Sequence, residues 1–228
     1  MKLDQFENAV EAFEYSIAID EEYSSAYINI SDALIKLEKF DQAKKYLDRS
    51  LSLDGPSPEI YSCLGNVNFY LEDYSTSISF YQKSIKIDQM FKESYFGLGR
   101  SLSKLDKWFE AIHFFKKAYK IDNKNIEYVK SLAYAEFKVG NLVSSIDLYS
   151  KAVEMQPDDY KLSLDFSLIY YESGDIDKAI DIIDQAIEES PGESLLYYRL
   201  VIYLMDAGRY KESINVLESA LSLNFDNH

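Results

Sequence analysis

Residues 61–84 read YSCLGNVNFYLEDYSTSISFYQKS, and residues 95–118 read YFGLGRSLSKLDKWFEAIHFFKKA. Set 34 positions apart, the two stretches match in kind: Tyr61 with Tyr95, Leu64 with Leu98 and Gly65 with Gly99, then Ser77 with Ala111, Tyr81 with Phe115 and Ser84 with Ala118. Residues three and four positions apart share one stripe of a helix, so each stretch reads as two successive amphipathic helices. Outward from this pair the period continues unbroken. The small residue recurs at Ala9, Ala43, Ser145, Ala179 and Ser213, the bulky one four places on at Phe13, Leu47, Tyr149, Ile183 and Leu217, and a third series at Ser16, Ser50, Ala152, Ala186 and Ala220. Tyr27/Ile30/Ser31, Val129/Leu132/Ala133, Ser163/Phe166/Ser167 and Tyr197/Leu200/Val201 continue the stripe of the other helix. A fixed period of this length marks an array of helix pairs, none of which buries its apolar face until it stacks on a neighbour.

Punctuation follows the same register. All four prolines, Pro56, Pro58, Pro157 and Pro191, fall between units, where they avoid the roughly 3 kcal/mol that a helix interior imposes. Within units the tight turn takes Gly140, Gly174 and Gly208, and Glu38, Glu72 and Asp106 occupy the equivalent sites of the earlier copies. Glycine suits the left-handed conformation that ends a helix. The period divides the chain into a leading half unit, 1–23, with the second helix alone, and six full units at 24–57, 58–91, 92–125, 126–159, 160–193 and 194–228, forming one continuous domain.

With Trp/Tyr-x2-Leu-Gly, Ala, Phe/Tyr, Ala and Pro as its successive marks, the pattern resembles the tetratricopeptide repeat (TPR) family. Its clearest copies here are Tyr61–Leu64–Gly65–Ser77–Tyr81–Ser84 and Tyr95–Leu98–Gly99–Ala111–Phe115–Ala118. The resemblance implies an all-α fold, a right-handed α-solenoid, and a concave groove lined by the first helix of each unit. It does not by itself specify a function, because one fold hosts many binding roles.

On that geometry the groove candidates are Asn66, Phe69, Tyr70, Phe96, Arg100, Lys104, Lys130, Tyr134, Lys138, Leu164, Leu168, Tyr198 and Ile202. Their character changes along the chain. Net charge is −8 over residues 1–91, +3 over 92–157 and −10 over 158–228, so the basic middle is expected to attract an acidic peptide, with aromatics beside Arg and Lys to pack on it. The stretch Leu164, Leu168, Leu195, Tyr198 and Ile202 reads as exposed apolar surface suited to an amphipathic helix. Gly97, with Cys63 and Ser131 at neighbouring sites, is expected to lower the groove floor and admit a ligand side chain. The family's carboxylate clamp finds Lys130, Tyr134, Asp165, Leu195 and Arg199 at its five sites in the best register, and only Lys130 and Arg199 agree with it. Its asparagine ladder is likewise missing.

Other chemistry is poorly supported. One cysteine, Cys63, rules out an internal disulfide and a Cys-based zinc site, and two histidines, His113 and His228, give no His-rich metal site. His113 follows Ile112 on a second helix and is expected at the surface, with no nucleophile or acid fixed beside it. A net charge of −15 argues against nucleic-acid or anionic-membrane binding. No apolar run approaches the roughly 18 residues of a membrane span, and the acid-dotted start is unlike a signal peptide.

The resulting expectation is a cytoplasmic, non-catalytic scaffold or adaptor. It would need no cofactor and would hold a peptide or helical segment of a protein partner, acidic or amphipathic. One alternative is the regulatory or substrate-selecting arm of a larger enzyme. Another is a homodimer formed through end helices, where Val10, Phe13 and Ile17 at one end and Ile214, Leu217 and Leu221 at the other lack a covering helix in the sequence.

Overall fold

The computed structural model describes residues 2–223. They form helices α1 (Lys2–Ile19), α2 (Ser24–Lys36), α3 (Phe40–Asp54), α4 (Pro58–Tyr70), α5 (Tyr74–Ile87), α6 (Lys92–Lys104) and α7 (Trp108–Ile121), followed by α8 (Ile126–Lys138), α9 (Leu142–Met155), α10 (Tyr160–Glu172), α11 (Ile176–Glu189), α12 (Ser194–Asp206) and α13 (Tyr210–Ser222). The chain separates into two compact units, Met1–Asn123 with α1–α7 and Lys124–His228 with α8–α13.

Each helix pair closes through the same turn. Positive φ occurs at Glu38, Glu72, Asp106, Gly140, Gly174 and Gly208, with values from 56° to 87°. The next residue's N–H then reaches back to a carbonyl in the last turn of the first helix. Lys39 bonds Leu34 at 2.8 Å, Asp73 bonds Asn68 at 2.9 Å, and the pattern repeats from Lys107 to Leu102, Asn141 to Glu136, Asp175 to Tyr170 and Arg209 to Leu204. This satisfies carbonyls that the helix end would otherwise orphan. The six turns therefore share one geometry, whether or not glycine occupies the strained position.

Helix starts are fixed by local chemistry. Ser57 caps α4, accepting from the Ile60 N–H at 3.2 Å, with Pro58 as the first helical residue, where proline's missing N–H costs nothing. Asp73, Asn125, Asp159 and Asp175 cap α5, α8, α10 and α11 through side-chain oxygens.

In the first unit Ile30, Leu34, Leu47, Ile60, Leu64 and Val67 form the core, and Val10, Phe13 and Ile17 of α1 pack partly buried against it. Burying such a side chain contributes about 1.5–3 kcal/mol. α3 packs on α4 and α5 on α6, and the first helices also touch, α2 against α4 and α4 against α6. Small residues permit this approach: Ala43, Ser77 and Ala111 are fully buried. The Ser77 hydroxyl donates to the Gly65 carbonyl at 2.8 Å, as the Ser145 hydroxyl does to that of Ala133 at 2.9 Å in the second unit. There the core joins Ala179, Ile180, Ile183, Leu196, Leu200, Tyr203 and Leu204, with a smaller cluster of Ala133, Tyr149 and Ile169.

Candidate functional site

In the first unit, α4 and α6 lie side by side and bring Asn66, Phe69, Tyr70, Phe96 and Arg100 together. The Arg100 guanidinium carbon stands 4.1 Å from the centre of the Phe69 ring and 5.8 Å from those of Tyr70 and Phe96. Among the described residues no carboxylate pairs with it, and the side chain remains half-exposed. Phe69 itself is buried, so it acts as the platform under Arg100 instead of the open contact that the sequence suggests. Tyr70 is 41% exposed and stacks on Phe40 at 5.6 Å. Lys104 follows Arg100 by four residues and is exposed on the same helix, which places two cations one turn apart.

Beneath this face lies Tyr81 from α5, which the groove positions did not include. Its ring is fully buried, and its hydroxyl donates to Asn66 Oδ1 at 2.8 Å. Burial pushes the phenol well above its ordinary range, with nearby Arg100 opposing the shift. The expected depression at Gly97 is occupied by this ring: a methyl added at Gly97 would lie 2.2 Å from Tyr81 Cζ, and one added at Gly65 would lie 2.5 Å from Tyr81 Cε1. The glycines exist to admit a core tyrosine, not a ligand. The spacing carried a signal for this, since Tyr81 stands 16 residues after Gly65 and before Gly97.

Cys63 is also corrected. It is buried, and its thiol donates to Asp32 Oδ1 at 3.3 Å. Burial first, and the Asp32 charge second, raise its pKa well above the usual thiol value, so the nucleophilic thiolate is disfavoured. Asp32 is raised too, chiefly by burial. His113 is exposed and meets Phe114 edge-on at 5.1 Å.

In the second unit, Lys130 pairs with Glu127 at 3.6 Å, while Tyr134 is 44% exposed with its ring 6.5 Å from Phe137. Lys138 is exposed near the end of α8. Leu164 departs from expectation: it is buried against the core that holds Ala179, Ile180 and Leu196. Leu168 and Ile202 are half-buried, whereas Tyr198 and Leu195 are 63% and 45% exposed. The apolar surface is therefore narrower than the sequence suggests, and α12 supplies its open part. Asp165 is exposed, yet partial desolvation beside the neighbouring helices raises its pKa against the opposing charges of Lys130 and Arg199, and among the described residues the buried Arg199 Nε has no hydrogen-bond partner. Ile214, Leu217 and Leu221 on α13 are exposed.

Among the described residues no group of three or more His, Cys, Asp or Glu side chains is placed to hold a metal ion, and no helix is long and apolar enough to cross a membrane.

Comparison with curated protein sequences gives no significant match. Solved structures give many. The fold is similar to YrrB, described as a TPR protein with an unusual peptide-binding site, with a TM-score of 0.65 and 22% identity over 83% of this chain and 97% of that one. It is similar to MamA at 0.65 and 23% identity, covering 73% and 91%, and to PilF of Pseudomonas aeruginosa at 0.72 and 14%, covering 90% and 89%. At such identities the likeness concerns the fold alone. Tetratricopeptide repeat models match residues 1–66, 136–201 and 170–228, and a further one matches 92–125. With thirteen described helices, six pairs of them closed by one recurrent turn, and these matches over most of its length, the chain is an all-α solenoid of helical repeats and belongs to the tetratricopeptide repeat family.

Proposed function

We propose that this protein is a non-catalytic scaffold or adaptor, and that the α4–α6 face of its first unit holds a carboxylate-bearing segment of a protein partner. One observation carries the reading: Arg100 stands over the Phe69 ring without an acidic partner among the described residues. A guanidinium set on a ring has lost part of its rotational freedom before binding and keeps its fork of N–H donors free for a carboxylate. Lys104 adds a second charge one turn away, and Tyr70 offers an aromatic surface for the neighbouring peptide residue. On the second unit, the exposed rings of Tyr134 and Tyr198 with half-buried Leu168 and Ile202 suit the apolar side of an amphipathic segment, and the cations Lys130 and Lys138 suit acidic residues at its edge. The fold's general use for protein–protein contact, and a peptide-binding relative such as YrrB, support this reading.

The test is selection of peptides from a random library on the wild-type protein, followed by affinity measurement with Arg100→Gln. Selected peptides are expected to share an Asp, a Glu or a free C-terminus and to lose about ten- to a hundredfold in affinity, as for a hydrogen bond to a charged group. Equal affinity for both proteins would mean that Arg100 is only a solvated cation.

A further inference from the structure

The first unit carries another repeated feature. The fourth residue of α2, α4 and α6 is a tyrosine: Tyr27, Tyr61 and Tyr95. The second helices α3, α5 and α7 bring up Tyr46, Phe80 and Phe114, and three residues later Arg49, Lys83 and Lys117. The ring pairs Tyr27–Tyr46 and Tyr61–Phe80 each have centres 6.1 Å apart. Lys83 Nζ stands 4.9 Å from the Phe80 ring and 5.6 Å from that of Tyr61, and Lys117 Nζ stands 5.2 Å from Tyr95 and 5.7 Å from Phe114. In the first rung the rings line an open pocket of about 500 Å³ with Gln42, Lys45 and Arg49. Arg49, Lys83 and Lys117 are exposed, and among the described residues none of the three has an acidic partner.

We infer that this row is a second interaction surface, which takes an extended acidic peptide segment along Arg49, Lys83 and Lys117. Ordinary surface lysines swing freely and lose that freedom on binding. Here two of the three cations already rest on ring pairs, which lowers that cost. Tyr27, Tyr61 and Tyr95, the rings of the row, belong to first helices in direct contact, α2 on α4 and α4 on α6, and packed helices stand about 8–10 Å apart; Lys83 and Lys117, resting on Tyr61 and Tyr95, follow that spacing. A peptide in the extended polyproline II conformation rises about 3.1 Å per residue with about three residues per turn, so it covers that distance in about three residues with every third side chain on one face, and carboxylates at every third position match the row. A nucleic acid fits poorly, because a polyphosphate brings a charge at every nucleotide to a chain of net charge −15, whereas a peptide brings carboxylates only where the row of cations meets them.

The row is separate from the Arg100 face. On α6, Tyr95 and Arg100 lie five residues apart, about 140° around the helix and about 7 Å along it. It also ends with the first unit, where the ring positions give way to Val129 with Leu148 and Ser163 with Ile182.

The test uses the full chain carrying Arg100→Gln, which removes the other face, and a fluorescein-labelled 12-residue peptide with Glu at every third position and Ser between. In that background Arg49→Gln/Lys83→Gln/Lys117→Gln is expected to weaken binding at least about tenfold, while Lys83→Arg/Lys117→Arg retains it. A peptide of equal charge with its glutamates in one block is expected to bind several-fold more weakly. Lys83→Met/Lys117→Met keeps the stems over the rings without the charge, so its loss of binding with an unchanged melting curve separates recognition from folding. Undiminished binding by the triple Gln or double Met variant would overturn the inference, as would tighter binding of a 12-nucleotide single-stranded DNA.

Discussion

The two units solve one turn problem differently. In the first, the left-handed position at each tight turn holds Glu38, Glu72 and Asp106; in the second it holds Gly140, Gly174 and Gly208. The backbone is the same in all six, so the first unit carries side chains where they are strained, by about 1–2 kcal/mol each. The first unit also spends its glycines elsewhere. Tyr81 and Tyr149 are equivalent, two periods apart and both buried. The flanking positions are Gly65 and Gly97 for the one, Ala133 and Asp165 for the other. Omitting two methyl groups lets the Tyr81 ring lie between α4 and α6, where its hydroxyl donates to Asn66. The lesson is that glycine's value depends on what approaches it: open space at Gly140, a buried ring at Gly97.

The sharpest way to break this comparison is at Gly97. In a helix, Gly→Ala ordinarily gains about 1 kcal/mol. Here Gly97→Ala is expected to lose that gain and destabilise by a net of up to about 2 kcal/mol in urea unfolding, because overpacking a buried ring costs about 1–3 kcal/mol. In a Tyr81→Leu background the sign should reverse. A Gly97→Ala variant more stable than wild type would show that the Tyr81 ring gives way freely and that the glycine is not needed to admit it. By contrast, Ala133→Gly in the second unit should cost about 1 kcal/mol, as an ordinary helix position does.

The turns give the next largest effect. Glu38→Gly, Glu72→Gly and Asp106→Gly are each expected to add about 1 kcal/mol, and Gly140→Glu, Gly174→Glu and Gly208→Glu to remove about as much. For a chain of this size that is a melting shift of about 2–4 °C per substitution, measurable by calorimetry. Opposite signs in the two units are the required outcome; equal signs would mean that the carboxylate side chains stabilise their turns.

The smallest effect concerns charge. Partial desolvation raises the exposed Asp165 above its ordinary pKa, so the folded state binds this proton more readily than the unfolded chain does. Its ionised form opposes folding at neutral pH, and the opposition fades as pH falls through the raised pKa toward the ordinary value near 3.8. Asp165→Asn should therefore raise the melting temperature slightly at pH 7, with the gain shrinking in acid. A variant that is less stable at pH 7 would instead assign Asp165 a favourable role beside Lys130 and Arg199.

Much of the fold was legible. The period, the small residues Ser77 and Ala111, the prolines between units and the turn positions from Glu38 to Gly208 all reflect requirements that each repeat meets locally, so one copy predicts the next. The candidate site was legible only as a set of helix positions. That Leu164 turns into the core, that Phe69 lies under a guanidinium, and that Cys63 meets Asp32 depend on which neighbouring helix covers each position. The row of Tyr61 with Lys83 and Tyr95 with Lys117 has the same 34-residue period as everything else, yet its polar ends carry no burial pattern to single them out. The sequence by itself determined the helices, their pairing and their turns, because capping, backbone strain and apolar periodicity act within a few residues. Only the tertiary structure decided that Gly97 is filled by Tyr81 and that Arg100 stands over Phe69, because those outcomes are set by packing between side chains from different helices, where fractions of an ångström choose between an open groove and a closed one.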